Sequence, residues 1–139
     1  MMQIMLDTNI ILDVFLQREP FFANSNHVFE LCHKKLLQGF ISASTITDIY
    51  YSLRKALHNR EFAYTVIGNL IKICEIAPVT DKNVKEAYLL HAKDFEDALL
   101  ATCAKSQHCD YIVTRNKRDF VDFPVKAINP EEFLTILGL

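Results

Sequence analysis

The sequence predicts an α/β protein built on a mainly parallel sheet covered by helices on both faces. Short apolar runs alternate with stretches of helical period, so successive strands are separated by helices. The chain carries only three glycines and shows no repeat, low-complexity segment or linker, which favours a compact alternation. With 139 residues, half of them hydrophobic, it is long enough for one domain with a real core and short for two. One domain over residues 1–139 is therefore expected.

The first strand is the apolar run Ile4–Leu6, which stops at Asp7; from Asn9 the residues Ile10, Ile11, Val14 and Phe15 have helical spacing that ends before Pro20. A second helix carries Phe22, Val28, Phe29, Leu31, Cys32 and Leu36 to Gly39, expected as its left-handed cap. Phe40-Ile41-Ser42 is a short strand, and Ser44 suits the N-cap of a helix over 45–57 with Ile49, Leu53 and Leu57 on one stripe. Residues 62–74 repeat the helical pattern despite Gly68. Ile76-Ala77 before Pro78 reads as a strand at or near an edge, because proline cannot donate to a ladder.

Thr80 then caps a helix bearing Val84, Ala87, Tyr88 and His91, and Asp94 caps an alanine- and leucine-rich, buried helix over 95–106. Tyr111–Thr114 is the clearest strand, breaking into a polar loop. Val125–Ile128 is the last strand. Asn129-Pro130-Glu131-Glu132 opens a helix with a cap, a proline in the first turn and acids at the positive end of the dipole.

Four acid-bearing segments fall after apolar runs or at helix starts: Asp7, Asp48, the Asp94/Asp97 pair, and the loop 114–119 with Asn116 and Asp119. Ligands of open parallel sheets bind beyond the carboxyl ends of the strands at a topological switch point, so these segments are expected to converge on one rim. Gathered carboxylates repel and raise one another's pKa, and a fold that gathers them usually neutralises them with a cation. Mg²⁺ or Mn²⁺ prefers such hard oxygens, keeps several waters, and can activate one of them against a phosphodiester.

Plainer readings exist for each residue. Asp48, Asp94 and Asp97 fit as acids complementing helix dipoles, worth about 0.3–1 kcal/mol each. Asn116 and Asp119 fit as turn formers. Asp7 has no evident local structural need. Arg115, Lys117 and Arg118 read as a solvated loop edge whose position suits phosphate contacts, whereas Lys34, Lys35, Arg54 and Lys55 read as polar helix faces.

The hydrophobic-Asp7-Thr8-Asn9 opening, Ser44-x-x-x-Asp48, Asp94-Phe95-Glu96-Asp97-Ala98-Leu99 and Tyr111-Ile112-Val113-Thr114-Arg115-Asn116-x-x-Asp119-Phe120 resemble the PIN-domain family over nearly the whole chain. The resemblance implies a three-layer α/β/α sandwich and a metal-dependent endoribonuclease, often the toxin of a toxin–antitoxin pair. It puts the metal-binding acids on Asp7, Asp48 and Asp97, Asn116 where a fourth acid commonly stands, and Asp94 and Asp119 as helpers. RNA contacts are expected from Asn9, Thr114, Arg115, Lys117 and Arg118. A homodimer and a small antitoxin partner are implied too. Two departures stand out. Asp48 occupies a position that is most often glutamate and is one methylene shorter, and Asn116 offers a neutral oxygen that reduces the site's negative charge, so operation with one ion is open beside operation with two.

Other classes fit less well. A haloacid dehalogenase-like phosphatase needs an acid at position 9, which is Asn9, and a receiver domain needs a lysine on a late strand, where Thr114-Arg115 stands. No glycine-rich phosphate loop supports a nucleotide-binding module. The remaining alternative is a catalytically weak PIN-like RNA-binding or protein-interaction module. Charged residues at 23% and a formal charge of −2 exclude a disordered or generally nucleic-acid-coating chain. The cysteines Cys32, Cys74, Cys103 and Cys109 lack C-x-x-C spacing and read as reduced thiols, the first three in core stretches. Asp7 interrupts the apolar start, and no apolar run approaches the roughly 20 residues of a membrane span. A soluble, unprocessed cytoplasmic protein without membrane contact is expected.

Overall fold

Strands β1 (Gln3–Leu6), β2 (Gln38–Ser42), β3 (Glu75–Ala77), β4 (Tyr111–Val113) and β5 (Ala127–Ile128) pair entirely in parallel, in the order β3-β2-β1-β4-β5. The computed structural model describes residues 1–139. The helices are α1 (Thr8–Phe15), α2 (Phe22–His33), α3 (Ala43–Leu57), α4 (Arg60–Ile73), α5 (Asp81–Leu90), α6 (Phe95–Ser106) and α7 (Pro130–Ile136), with a 3-10 turn at Lys117–Phe120.

Side-chain alternation along the strands creates the layers. Ile4 and Leu6 point into a core shared with α1, α2, α3, α4 and α7, while Met5 points into a second core against α6. All three side chains are fully buried, which is why the central strand is an unbroken apolar run. The architecture is the expected three-layer α/β/α sandwich, and β3, with Pro78 directly after it, is an edge strand.

From β1 the chain builds β2 and β3 on one side and then crosses back to place β4 on the other. The crevice at this reversal lies beyond the carboxyl ends of β1 and β4, where Asp7 and Thr114 follow their strands. The Asp7 N–H donates to the Val113 carbonyl at 3.1 Å, tying the two ends together.

Several boundaries differ from the sequence expectation. Gly39 does not cap α2; the helix ends at His33, and Lys35 rather than a glycine takes the left-handed conformation, at φ 61°. Gly39 lies in β2, where a Cβ would sit 2.8 Å from Cys32 Sγ and 3.3 Å from Cys74 Sγ, so its smallness lets helix and strand approach. Ser42, not Ser44, caps α3, accepting from the Thr45 N–H at 3.2 Å. Asp48 is therefore the sixth residue of α3, past the first turn. Asn59 starts α4 two residues early by accepting from the Phe62 N–H, and His91 ends α5 in the left-handed region. Asp94, Thr80 and Asn129 cap α6, α5 and α7 as expected.

Candidate active site

Asp7 leaves β1 with both carboxylate oxygens engaged. Oδ1 accepts from the Thr8 N–H at 2.8 Å and caps α1, while Oδ2 accepts from Thr114 Oγ1 at 2.8 Å. The cap is the local role that the sequence did not reveal. Thr114 is fully buried, and its hydroxyl also accepts from the Asn116 N–H at 3.1 Å. It faces Asp7 rather than an RNA surface. Asn9 bridges the same elements: its Nδ2 lies 3.5 Å from Asp7 Oδ2, and its Oδ1 accepts from the Arg115 N–H at 3.4 Å.

Asp48 on α3 and Asp97 in the first turn of α6 reach the same place. Asp7, Asn9, Asp48, Asp97 and Asn116 line one cleft of ≈ 490 Å³, together with Thr8, Leu12, Tyr51, Ser52, Lys55 and Glu96. Asp94 and Asp119 border the adjoining groove beside Lys93 and Arg118. They are still near enough to repel Asp7 and Asp97.

Two site residues escaped the sequence reading. Glu96 stands in the first turn of α6 between Asp94 and Asp97, and a helix start fans adjacent residues around its mouth. Lys55 shares a face of α3 with Asp48, Tyr51 and Ser52 at intervals of three and four residues, a spacing legible once Asp48 is placed on the helix.

Electrostatics mark the cleft. Burial pushes Asp7 upward against the lowering hydrogen bonds from Thr114 and Thr8, and Asp119 and Asp94 add repulsion. Asp97 is pushed up to about 7 by partial burial and then by Asp94, Asp7, Asp119 and Glu96. Glu96 is also pushed up to about 7, by partial burial, by the Asp48 carboxyl beside it, and by Asp94 and Asp7. No Lys or Arg forms a salt bridge with any of these acids.

The donors are hard carboxylate and amide oxygens, with no histidine or cysteine lining the cleft, which fits Mg²⁺ or Mn²⁺. No three acidic, histidine or cysteine side chains converge as a ready-made metal cage. The arrangement fits an ion held by one or two carboxylates and water better than one enclosed by protein.

The loop cations divide unexpectedly. Arg115 is not at a solvated edge: its Nε donates to Asp13 Oδ2 at 2.9 Å, and its guanidinium lies 3.9 Å from the centre of the Phe21 ring. Asp13 is fully buried, accepts also from Ser25 Oγ at 3.0 Å, and leaves Oδ1 without a partner. Lys117 pairs with Glu132 at 2.8 Å, which holds the Glu132 carboxyl below its ordinary range. Arg118 enters no ion pair.

Residues 3–118 match the PIN domain family. The chain is 27% identical over 136 residues to Ribonuclease VapC1 of Aquifex aeolicus strain VF5, covering 94% of this chain and 92% of that protein. Among solved structures it resembles VapBC2 of Rickettsia felis bound to a DNA fragment from their promoter, with TM-score 0.71 and 20% identity over 92% of this chain and 98% of that one. It also resembles Mycobacterium tuberculosis VapC20, a sarcin–ricin-loop-cleaving toxin, with TM-score 0.69 and 11% identity over 86% of this chain and 95% of that one. At these identities the two structures establish a shared fold.

Proposed function

The chain belongs to the PIN-domain family, and on that premise we propose that it is a divalent-metal-dependent endoribonuclease. The observation that carries the reading is the meeting of Asp7, Asp48 and Asp97, from remote segments, in one cleft without a paired Lys or Arg. Asp7, Asp48, Asp97 and Asn116 are the proposed metal-binding and catalytic set. Asp94 and Asp119 adjust the charge from the adjoining groove.

A bound Mg²⁺ or Mn²⁺ would supply an acidified water and neutralise charge on the phosphate. The chain's own residues set the stage for that ion. Thr114 and the Thr8 N–H fix the two oxygens of Asp7, so this carboxylate has little freedom to reorient. Burial and neighbouring acids push Glu96 and Asp97 upward, so ion binding should release protons and strengthen as pH rises. Asn9 and Arg118 remain candidate RNA contacts, with Lys117 available if it leaves Glu132. Arg115 and Thr114 act by holding the loop.

The relationship to Ribonuclease VapC1 and the fold shared with a VapBC complex support a toxin role with a small antitoxin partner. A homodimer is proposed with it. No helix is long and apolar enough to cross a membrane. A cytoplasmic setting is proposed, in keeping with four free, buried cysteines. The lack of a preformed three-ligand cage favours one further reading, a PIN-like RNA-binding module with weak catalysis. Cleavage of single-stranded RNA separates the two. The nuclease reading expects cleavage that EDTA and Asp7→Asn both abolish; equal degradation by wild type and Asp7→Asn would refute it.

A further inference from the structure

The acids account for only part of the cleft. Asp48, Tyr51, Ser52 and Lys55 present one face of α3 to it, and Lys55 is the only cation in the lining. Lys55 forms no ion pair. Two helical turns separate it from Asp48, about 10.5 Å along the axis, the length of roughly three stacked nucleotides. That separation leaves room for Lys55 to hold a phosphate other than the one at the acids.

Tyr51 stands between the two and is 66% exposed. Its ring meets Tyr50 edge-on, with centroids 5.1 Å apart, and Tyr50 meets Tyr64 at 5.3 Å while accepting from Arg54 Nη1 at 3.2 Å. Tyr51 is thus an aromatic surface supported from behind yet open in front. Lys55 also lies in the last turn of α3, where a cation complements the helix dipole. Arg54 occupies the same turn and serves that purpose without facing the cleft, so the dipole does not explain where Lys55 points.

We infer that this face of α3 is a subsite for single-stranded RNA, with a base stacked on Tyr51 and a neighbouring phosphate held by Lys55. The strand leaves the acids toward the C-terminal end of α3, where a cation offsets the repulsion of the acidic centre. The subsite's place relative to the cut rests on the nuclease reading; the contact with RNA rests on α3 alone.

Fluorescence anisotropy of a short, mixed-sequence single-stranded RNA tests it, using the full chain with Mg²⁺ and Asp97→Asn to suppress cleavage. In that background Lys55→Ala should weaken binding about threefold to tenfold and lower the slope of log affinity against log salt by about 0.7. Lys55→Arg should keep both. Tyr51→Ala should weaken binding about fivefold or more with the slope unchanged, and Tyr51→Phe should restore it. Thermal unfolding of each variant separates a lost contact from a lost fold. Absence of RNA binding by the parent overturns the inference. Parent-like affinity and slope in folded Lys55→Ala and Tyr51→Ala also overturn it. If those variants weaken binding although wild type shows no metal-dependent cleavage, the subsite stands and the nuclease reading falls. If cleavage is metal-dependent while the variants bind normally, the reverse holds.

Discussion

Replacing Asp97 by asparagine should stabilise the metal-free protein and destabilise it relative to wild type once a divalent ion is bound. Asp97 is displaced from its ordinary 3.8 to about 7, so in the folded state it resists ionisation. The folded state then binds more protons than the unfolded chain between these values. Stability contributed by the protonated form is present at acid pH and is lost as pH rises from about 4 to 7. Fully shielded, such a displacement would correspond to about 4 kcal/mol. Asp97 is half-exposed, and solvent screening reduces this to about 1–2 kcal/mol. Asparagine removes that penalty but also loses an acid from the first turn of α6, worth about 0.5 kcal/mol. The net expectation above pH 7 in EDTA is a gain of about 1 kcal/mol, or about 3–4 °C in Tm.

With saturating Mg²⁺ or Mn²⁺ the order should reverse, because an ion that binds only the folded state stabilises it by RT ln(1 + [L]/Kd), and the variant binds it less tightly. Thermal unfolding from pH 4 to 8, with EDTA and with metal, measures both effects. A variant less stable than wild type in EDTA above pH 7 would show that the first-turn acid's interaction with the helix dipole outweighs acid repulsion and would refute the reasoning.

Other perturbations probe the supports of the site. Thr114→Val removes the hydroxyl that lowers Asp7, so the acid limb of the pH–activity profile should move to higher pH and stability should fall by about 1.5–3 kcal/mol; an unmoved profile would dissociate Thr114 from Asp7. Arg115→Ala leaves the fully buried Asp13 without its cation and should cost about 3–5 kcal/mol in urea unfolding, whereas a loss below about 1 kcal/mol would place Arg115 in solvent. Gly39→Ala puts a Cβ 2.8 Å from Cys32 Sγ and should cost about 1–3 kcal/mol, with recovery in the Gly39→Ala/Cys32→Ala double variant. A neutral Gly39→Ala would mean that α2 shifts freely on the sheet.

The strand–helix alternation was readable because each strand is bounded by an acid, a proline or a capping residue, as at Asp7, Pro78 and Asn129. Parallel pairing followed, and with it the switch-point crevice that collects Asp7 and Asn116. The sequence was less informative where neighbouring residues compete for the same role. Ser42 and Ser44 both suit an N-cap, and only the end of β2 decides between them. Gly39 resembles a helix cap, and its true constraint, the approach of two cysteine sulfurs from α2 and the end of α4, is a tertiary contact invisible to local pattern. Arg115 looked like a phosphate contact because its buried partner, Asp13, lies on α1 more than a hundred positions away. Lys55 looked like a solvated helix face because its spacing from Asp48 carries meaning only once the fold turns Asp48 toward acids from other segments.

The proposed function turns on whether the cleft that gathers Asp7, Asp48 and Asp97 binds a dication through its carboxylates and water. Calorimetric titration of Mn²⁺ into the metal-free wild type at pH 7.5, against Asp7→Asn under the same conditions, asks this without depending on an RNA substrate. Saturable uptake by wild type with proton release, lost in folded Asp7→Asn, is the predicted result. Equal uptake by the two proteins, or none by wild type, would contradict it.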